Sequence, residues 1–440
     1  MKLPFDHPLR IELNDEVHAR PPEPLQAPAR VSYLALLCDT VQKEAGWAAV
    51  RDLCRRYDIE PPGGSVIHYS ADLGPFRLKW ERHTEFVRYT FIAGGQTSDP
   101  FLSTAISIVP ADWVASLPGQ VIVAANAVLI EEEPGVIDPV AIGARWFDGN
   151  VPMGAAVSGG AATALTDFRI HADGFSRHLL LDHATTPWQA GRLMQRLLEI
   201  DTYRILALLA LPIARESAPL LMDCGQELAR ITAALVTADA ADEPGLLDRL
   251  TRLEAGIENR QSETRFRFSA SDAYYELVRQ RIDELREQRI QGLQTFREFT
   301  ERRLAPAMNT CRSAAARQES LSQRVARATR LLSTRVDLTR ERQNQALLES
   351  MDQRASLQLR LQSTVEGLSV AAVTYYVVAL IGHAAEALHD AGVAVRPVLA
   401  MGVSIPVVIA VAGFGVHRIR HAVTRSRDAG ARAPDVRSSD

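Results

Sequence analysis

Apolar and polar residues alternate in several segments of the first 186 residues. This period of two predicts β-strands, whereas the spacing between Gln42 and Tyr57 predicts an amphipathic helix. Turn residues at 172–174 predict a hairpin within LTDFRIHADGFSRHLLLD. Together these elements predict an α/β or α+β head domain over residues 1–186. The predicted strands are VSYLALLCDT, SVIHYS, PFRLKWERHTEFVRYTFI and VIVAANAVLIEE.

The next part of the chain has a helical composition. We predict a helical connector over residues 187–242 and a helical stalk over 243–366, where Gly and Pro are rare. Polar interruptions at Thr339, Gln343 and Arg354 favour an intramolecular helical hairpin, turning near Ala305-Pro306, over an intermolecular coiled coil. Apolar positions recur at intervals of three and four at Leu321, Val325, Ala328, Leu332 and Val336, and then at Leu357, Leu361, Val365 and Leu368.

Two runs without formal charge follow the stalk, at residues 367–385 and 398–416. Each has about the length that a helix needs to cross a bilayer, so we predict two C-terminal transmembrane helices. Pro406 and the glycines of the second run are tolerated in a membrane helix. An earlier apolar run from Ile205 to Ala214 is too short to span. The alternative is a pair of buried helices in a soluble domain, which rarely takes the form of two adjacent charge-free runs.

The distribution of arginine predicts the orientation. The basic tail at 417–440 begins with HRIRHAVTRSR, which carries Arg418, Arg420, Arg425 and Arg427, whereas the link between the runs carries only Arg396. Positive residues accumulate on the cytoplasmic side, so the tail should be cytoplasmic and the link external. No apolar signal follows the N-terminal Lys2. We therefore expect a multi-pass protein of the cytoplasmic (inner) membrane with both termini in the cytoplasm and a partly disordered tail.

Composition narrows the function classes. The net charge is −4 and the arginines are interleaved with acids, so no nucleic-acid partner is predicted. The four cysteines lack CxxC or CxxH spacing, which disfavours structural zinc and thiol-redox sites. We find no nucleophile elbow, no phosphate loop, no dinucleotide fingerprint and no HExxH motif. An ordinary hydrolase, kinase or dehydrogenase is therefore unsupported.

One segment contains candidate metal ligands. Glu81, His83 and Glu85 alternate along a predicted strand, and imidazole and carboxylate are ordinary ligands of a divalent cation. The favoured alternative is a solvated strand face whose charges pair across neighbouring strands. No other cofactor is predicted.

A second segment is dense in groups that could act as acid, base and anion clamp. It contains Asp15, Glu16, His18 and Arg20, followed by Pro21. The favoured alternative is a capped helix start before a proline-rich turn.

Three histidines lie on or near the predicted hairpin at 172–174. They are His171, His178 and His183, and their spacing fits no standard metal motif. We expect surface or core histidines.

Seven stretches carry a resemblance to a known family. The chain resembles a domain-of-unknown-function family of uncharacterised bacterial membrane-anchored proteins over nearly its whole length. The resemblance implies a cytoplasmic head, a helical stalk and two C-terminal membrane helices, and it implies no activity. The stretches are NDEVHARP, KWERHTEF, GRLMQRLLEIDTYR, LALPIARE, RRLAPAMNTC, LLSTRVDLTRERQNQALLESM and LQLRLQSTVEGLSVAAVTYY.

A looser likeness concerns architecture. The CorA-type divalent-cation channels are similar in their order of cytoplasmic head, long helix, second membrane helix and basic tail. Their Gly-Met-Asn hallmark is replaced here by Gly382-His383-Ala384, which puts magnesium selectivity in doubt. Thr374, Tyr375 and Ser404 are the polar residues that could line a pore.

Three functional hypotheses remain open. The favoured one is a membrane-anchored scaffold or regulator whose cytoplasmic head binds a protein partner. The second is a CorA-like oligomeric ion channel or transporter, and the third is an unrecognised enzymatic head. Under the favoured hypothesis the protein is not an enzyme. All three hypotheses are compatible with self-association into a homo-oligomer.

Overall fold

The computed structural model describes residues 5–11, 13–14, 21–64, 66–97, 99–392, 394 and 396–430. The chain divides into two compact units, residues 1–332 and 333–440. The strands are β1 (Ala29–Leu37), β2 (His68–Asp72), β3 (Arg77–Arg82), β4 (Phe86–Gly94), β5 (Gln120–Glu131), β6 (Met153–Val157), β7 (Ala162–Thr166) and β8 (Ser176–Asp182). The α-helices are α1 (Thr40–Arg56), α2 (Ala111–Ala115), α3 (Pro139–Trp146), α4 (Pro187–Leu208), α5 (Ala210–Thr237), α6 (Glu243–Leu285), α7 (Phe296–Phe299), α8 (Ala305–Asp390) and α9 (Pro397–Gly430).

The described strands form one mixed sheet in the order β2-β3-β4-β1-β5-β8-β7-β6. Every neighbouring pair is antiparallel except β5 and β8, which run parallel. The predicted head of α+β class is thereby confirmed.

Both faces of the sheet are covered, as the central strand β1 illustrates. Val31 and Tyr33 point into a core formed with α4 and α6, whereas Leu34 and Leu36 point into a second core formed with α1 and α2. Successive side chains of a strand alternate between faces, so apolar residues are required on both sides of β1. Because both faces are covered, a charged side chain in the middle of a strand next to β1 is buried on whichever face it points to.

The segment predicted as one long strand from Pro75 to Ile92 is a hairpin instead. β3 ends at Arg82 and β4 begins at Phe86, and the His83 amide donates to the Phe86 carbonyl at 2.8 Å. The single-strand prediction is wrong because the apolar–polar alternation continues through the turn. The predicted turn at 172–174 is confirmed between β7 and β8, where Gly174 adopts a positive φ of 85°.

Helix α4 begins where the sequence predicts. The Thr186 hydroxyl accepts from the Gln189 amide, while the Gln189 side chain accepts from the Thr186 amide, which forms a capping box. The chain then breaks at Leu209 before α5. Ala210 and Ala214 of α5 are buried with Cys311 and Ala314 of α8.

Helices α6 and α8 form an antiparallel pair within the first unit. Gln261 contacts Glu319 at 2.7 Å, and Arg312 contacts Asp272 at 2.6 Å. The expected intramolecular hairpin is therefore present.

The hairpin turn occupies residues 286–295, so the prediction of a turn near Ala305-Pro306 is wrong. The chain is helical through Pro306 because a π-helical turn, Thr300–Leu304, directly precedes it. A wider turn accommodates the missing N–H and the steric demand of proline.

The core of the head includes residues that sequence patterns assign to the stalk. Tyr275, Val278 and Phe296 are buried in the same core as β1 and α4. The turn after α6 also pairs with edge strand β6, because Gln288 and Ala156 exchange two backbone hydrogen bonds of 2.7 and 3.1 Å. This pairing covers an otherwise open sheet edge.

The second unit contains most of α8 together with α9. An apolar groove between these helices is lined by Val370, Thr374 and Val378 on one side and by Met401 and Ile405 on the other. Over the described residues, three helical segments are long and apolar enough to cross a membrane. They are Pro187–Thr237, Phe296–Leu388 and Pro397–Gly415. By length and composition, the expectation that the stretch around Ile205–Ala214 is too short to span is therefore wrong.

Candidate functional site: a buried charge cluster beneath an N-terminal strap

Four charged side chains are buried on the sheet face that α4 covers. Lys79 and Glu81 lie on β3, Arg88 lies on β4 and Glu199 lies on α4. Each residue is at most 4% exposed. We call these four residues the charge cluster. Burial of so many ionised groups requires each charge to be paired.

Arg88 is the centre of the cluster. Its guanidinium donates to both carboxylate oxygens of Glu81, with Nη2 at 2.8 Å from Oε1. This two-point geometry suits the planar fork of arginine. The Lys79 ammonium lies 3.2 Å from the same Glu81 carboxylate. The third side of Arg88 faces Glu199, with Nη1 at 3.3 Å from Oε1.

Glu199 extends the cluster toward the surface. Its carboxylate also accepts from Arg281 at 2.5 Å and from the Gln195 amide at 2.8 Å. Arg281 in turn binds Glu284, which binds Arg196 of α4. Positive and negative groups therefore alternate from the sheet across α4 to α6.

The surroundings shift the pKa values of these groups in definite directions. Burial alone would raise the pKa of Glu81, but the attraction and hydrogen bonds of Arg88 hold it below its usual range. Burial would likewise raise the pKa of Glu199, and Arg88 with Arg281 lowers it. Burial lowers the pKa of Lys79, against the opposing attraction of Glu81. Both carboxylates are consequently ionised in the folded protein at neutral pH.

Residues 21–25 cross over the cluster, and we call them the strap. Lys79 donates to the Pro21 carbonyl at 2.6 Å, and the Leu25 amide donates to the Pro187 carbonyl at 2.9 Å. Glu23 pairs with Arg77 of β3 at 3.1 Å. The strap lies so close to α4 that a Cβ atom at Gly191 would sit 1.8 Å from the Glu23 carbonyl oxygen.

A small cavity lies between the strap, the sheet and α4. Its apolar lining includes Val31, Met194 and Leu198. Its polar lining consists of Glu23, Tyr33, Thr90 and Gln195 together with three members of the charge cluster. Each cluster charge is already held by an opposite charge. Lys79 differs because one of its partners is a backbone carbonyl of the strap. Displacement of the strap would remove this carbonyl and leave Lys79 paired with Glu81.

The three candidate metal ligands do not come together. Glu81 is held by Arg88, whereas the His83 ring in the turn stacks on Phe86 at 4.3 Å. Glu85 accepts from Arg267 and from Tyr274 of α6 at 2.5 and 2.9 Å. Among the described residues, no group of three His, Cys, Asp or Glu side chains is arranged to hold a metal ion.

The alternative, a solvated strand face whose charges pair across strands, holds only in part: Glu81 pairs with Arg88 of the neighbouring strand as expected, but this side of β3 is not solvated. Glu81 is 1% exposed because α4 covers that side of β3. A second predicted candidate set, Asp15, Glu16, His18 and Arg20, lies outside the described residues.

A second polar cluster joins two loops of the head. His171 is buried between two carboxylates, with Nδ1 at 2.8 Å from Asp148 and Nε2 at 3.1 Å from Asp167. Asn150 also donates to Asp167 at 3.0 Å. The sequence offered no signal for this contact, because Asp148 and His171 are on different loops that only the fold brings together.

A third cluster surrounds Asp201 in the core. Its carboxylate accepts from Ser176 at 2.6 Å and lies 3.1 Å from His178 Nε2, and Arg204 binds its other oxygen at 2.6 Å. The carboxylate lies between serine and histidine, whereas a nucleophilic triad has histidine in the middle. The acidic residues of the LLEID stretch are flanked by apolar ones, which is the one sequence signal for burial here.

Comparison with known proteins gives one match. A family model described as "Protein of unknown function (DUF3422)" matches residues 5–423. No curated protein matches the chain, and no solved structure matches it. The resemblance to an uncharacterised family is confirmed by this match.

Proposed function

Because the chain belongs to the family described as proteins of unknown function (DUF3422), we propose its function from the structure itself. In this proposal the protein is anchored in the cytoplasmic membrane by its two C-terminal helices, at about 367–385 and 398–416. Its α+β head serves on the cytoplasmic side as a scaffold or regulator that binds a protein partner.

The observation that carries the anchoring is the exposure of apolar side chains on α9. Within Pro397–Gly415 the mean hydropathy is 2.2 and none of the span is buried. Val398 and Phe414, near its two ends, are 84% and 67% exposed. A helix with apolar side chains on every side is stable when lipid surrounds it. The preceding helix supports the same interpretation, because Tyr375 and Leu380 are also exposed.

The third apolar segment, Pro187–Thr237, is better explained as part of the head. Leu197, Ile200 and Leu206 are buried against the sheet, and Ala210 and Ala214 are buried against α8. The most apolar stretch of this segment is 28% buried in the protein, whereas none of Pro397–Gly415 is buried, so part of the segment is used in protein packing. In a transmembrane position these buried side chains would face lipid instead.

Two features of the head favour binding over catalysis. The buried charges are paired with one another, so they maintain the architecture. In addition, hydrogen bonds of His171 and Asn150 join two loops that carry the exposed apolar residues Val151 and Ile170. We assign the partner-binding surface to these two joined loops because both expose a large apolar side chain.

Membrane fractionation tests the anchoring. We expect the full chain to remain in the membrane pellet after washes with high salt and with alkaline carbonate. Chains ending at Leu332 or at Glu366 should be released, because they lack both apolar helices. High salt removes molecules held only by arginine attraction to anionic lipid. Retention of the chain ending at Leu332, or release of the full chain by salt, would contradict the proposal.

Photo-crosslinking in cells tests the partner-binding head. A photoreactive residue at Val151 or Ile170 should give a discrete adduct, and Ile170→Glu should abolish the adduct formed at Val151. Val41→Glu is the matched control, because Val41 is equally exposed but lies on α1. An unchanged adduct pattern in the Ile170→Glu variant would exclude this surface.

A further inference from the structure

Apolar side chains line one side of α8 between Leu347 and Leu368. Leu347, Met351, Leu361, Val365 and Leu368 are each between 58 and 74% exposed. We call these five residues the seam. A row of large apolar side chains in water is costly, and its regular arrangement indicates a covering partner.

The seam follows a heptad repeat. Its residues are spaced alternately by four and three, with Arg354 and Gln358 completing the repeat between Met351 and Leu361. Leu347, Arg354, Leu361 and Leu368 occupy d positions, and Met351, Gln358 and Val365 occupy a positions. The f positions are all polar, namely Arg342, Glu349, Ser356 and Ser363. Two further exposed apolar residues, Leu348 and Leu357, flank the seam at e and g positions, whereas Leu359 lies away from it at a b position. The pattern is typical of a helix that pairs mainly along one side.

The same helix has a covered apolar stripe nearer its start. Leu321, Val325 and Leu332 are at most 5% exposed. Within the second unit, by contrast, the described residues leave all five seam residues exposed.

Helix α9 packs along the part of α8 that follows the seam. The groove between the two helices is lined by Gly367, Val370 and Thr374 at positions c, f and c, and farther along by Tyr375 and Ala379 at positions d and a. The a and d side of α8 therefore faces the groove with α9 beyond Leu368, and the proposed pairing ends there.

We propose that the seam of one chain pairs with the seam of a second copy in a parallel, in-register coiled coil at the membrane surface. The parallel orientation rests on the proposed anchoring, because two copies inserted from the same side present α8 in the same direction. In that arrangement each residue at an a or d position contacts the same residue of the second copy.

A second copy suits the seam better than a charged partner does. Apart from Arg354, every a and d position from Leu347 to Leu368 is uncharged, so no complementary charge is required. Arg354 at a d position places two like charges together, which weakens the pairing in that one layer. The shared membrane also keeps copies close in a common orientation.

Disulfide crosslinking of the full chain in membranes tests this proposal. The half-exposed Cys38 and Cys224 are first changed to Ala. Single changes Leu347→Cys, Leu361→Cys and Leu368→Cys should each give a self-crosslinked dimer after mild oxidation. Ser363→Cys, at an f position two residues from Leu361, is the matched control and should crosslink at least tenfold less. An antiparallel pair would crosslink at one d position only, and that result would overturn the proposal.

Two further variants test whether the crosslink depends on the apolar side chains of the seam and not on the introduced cysteines. With Leu347→Cys as the reporter, Leu361→Glu plus Val365→Glu should abolish the dimer. Ser356→Glu plus Ser363→Glu adds the same charge on the opposite side and should leave it intact. Equal dimer yields in these two variants would overturn the proposal. Carbonate extraction of the same samples reports anchoring separately, so loss of the membrane pellet and loss of the crosslink are distinguishable.

Discussion

At the scale of single residues, the head depends on charges that are buried and paired. Alternation along β3 correctly placed Lys79 and Glu81 on one side of the strand, but it could not show that α4 covers that side. A strand face is solvated only if no other element packs on it, and that information is non-local. The sequence therefore predicted which side chains lie together on β3 and not their burial.

Removing the central cation of the cluster should be strongly destabilising. Arg88→Met leaves Glu81 and Glu199 buried without their shared partner, at a cost of about 3–5 kcal/mol in the free energy of unfolding. Chemical denaturation followed by tryptophan fluorescence measures this loss. Arg56→Met is the control, because Arg56 pairs with Asp112 at the surface and its removal should leave the midpoint unchanged. A similar midpoint for both variants would show that the cluster is not a structural element.

Asp201 predicts how the head responds to acid. Burial would raise the pKa of its carboxyl, but Arg204, His178 and Ser176 lower it well below its usual range. The stability that this ionised group contributes is fully present above the unfolded pKa of about 3.9. It is lost as pH falls from there toward the folded pKa.

Asp201→Asn should therefore lower the melting temperature at pH 7 and flatten its decrease below about pH 5. Thermal unfolding between pH 7 and pH 3 measures both effects. The exposed Asp239→Asn is the control and should follow the wild-type curve. A variant curve parallel to the wild type throughout would show that Asp201 has no part in acid sensitivity.

At the scale of elements, helix starts were predictable and turns were less so. Thr186 followed by Pro187 and Gln189 is a local signal, and α4 begins there. Pro306 is an equally local signal for a turn, yet the preceding π-helical turn allows the helix to continue. The hairpin turn lies at 286–295 instead, where Gln288 pairs with β6, a contact that sequence periodicity cannot reveal.

The contact between the strap and α4 should depend on a single glycine. Gly191→Ala places a methyl group against the Glu23 carbonyl, so the strap must move and the head should lose about 1–3 kcal/mol. Gly256→Ala is the control, because nothing lies within 4 Å of its Cβ position in α6. That change should stabilise the helix by about 0.5–1 kcal/mol. Equal effects of the two substitutions on the melting temperature would rule out a close strap.

At the scale of the whole molecule, the composition of the chain predicts its long apolar helices better than it predicts the packing of the head. Long charge-free runs identify apolar helices without any knowledge of packing. The sequence does not determine whether the apolar residues of Pro187–Thr237 face protein or lipid. The burial of Leu197 and Leu206 in the head core distinguishes this part of the segment from the exposed α9.

Reporter fusions test the proposed orientation. Fusions after Asp440 should report the cytoplasm, and fusions at Gly392 in the link should report the exterior, because arginines concentrate after the second helix. Alkaline phosphatase and a fluorescent protein give opposite signals on the two sides. Active phosphatase at Asp440 would invert the orientation and remove the basis for a cytoplasmic head.

The mixing of early and late residues in the head core has a consequence for biosynthesis. β1 lies near the N-terminus, whereas the core around it is completed by Tyr275, Phe296 and Met308. The ribosome adds about 5–20 residues per second, so the first strands wait on the order of tens of seconds for these partners. During that interval the apolar faces of the sheet are available to chaperones. The hydrophobic core of the nascent head can therefore be completed only after the first residues of α8 have left the ribosome.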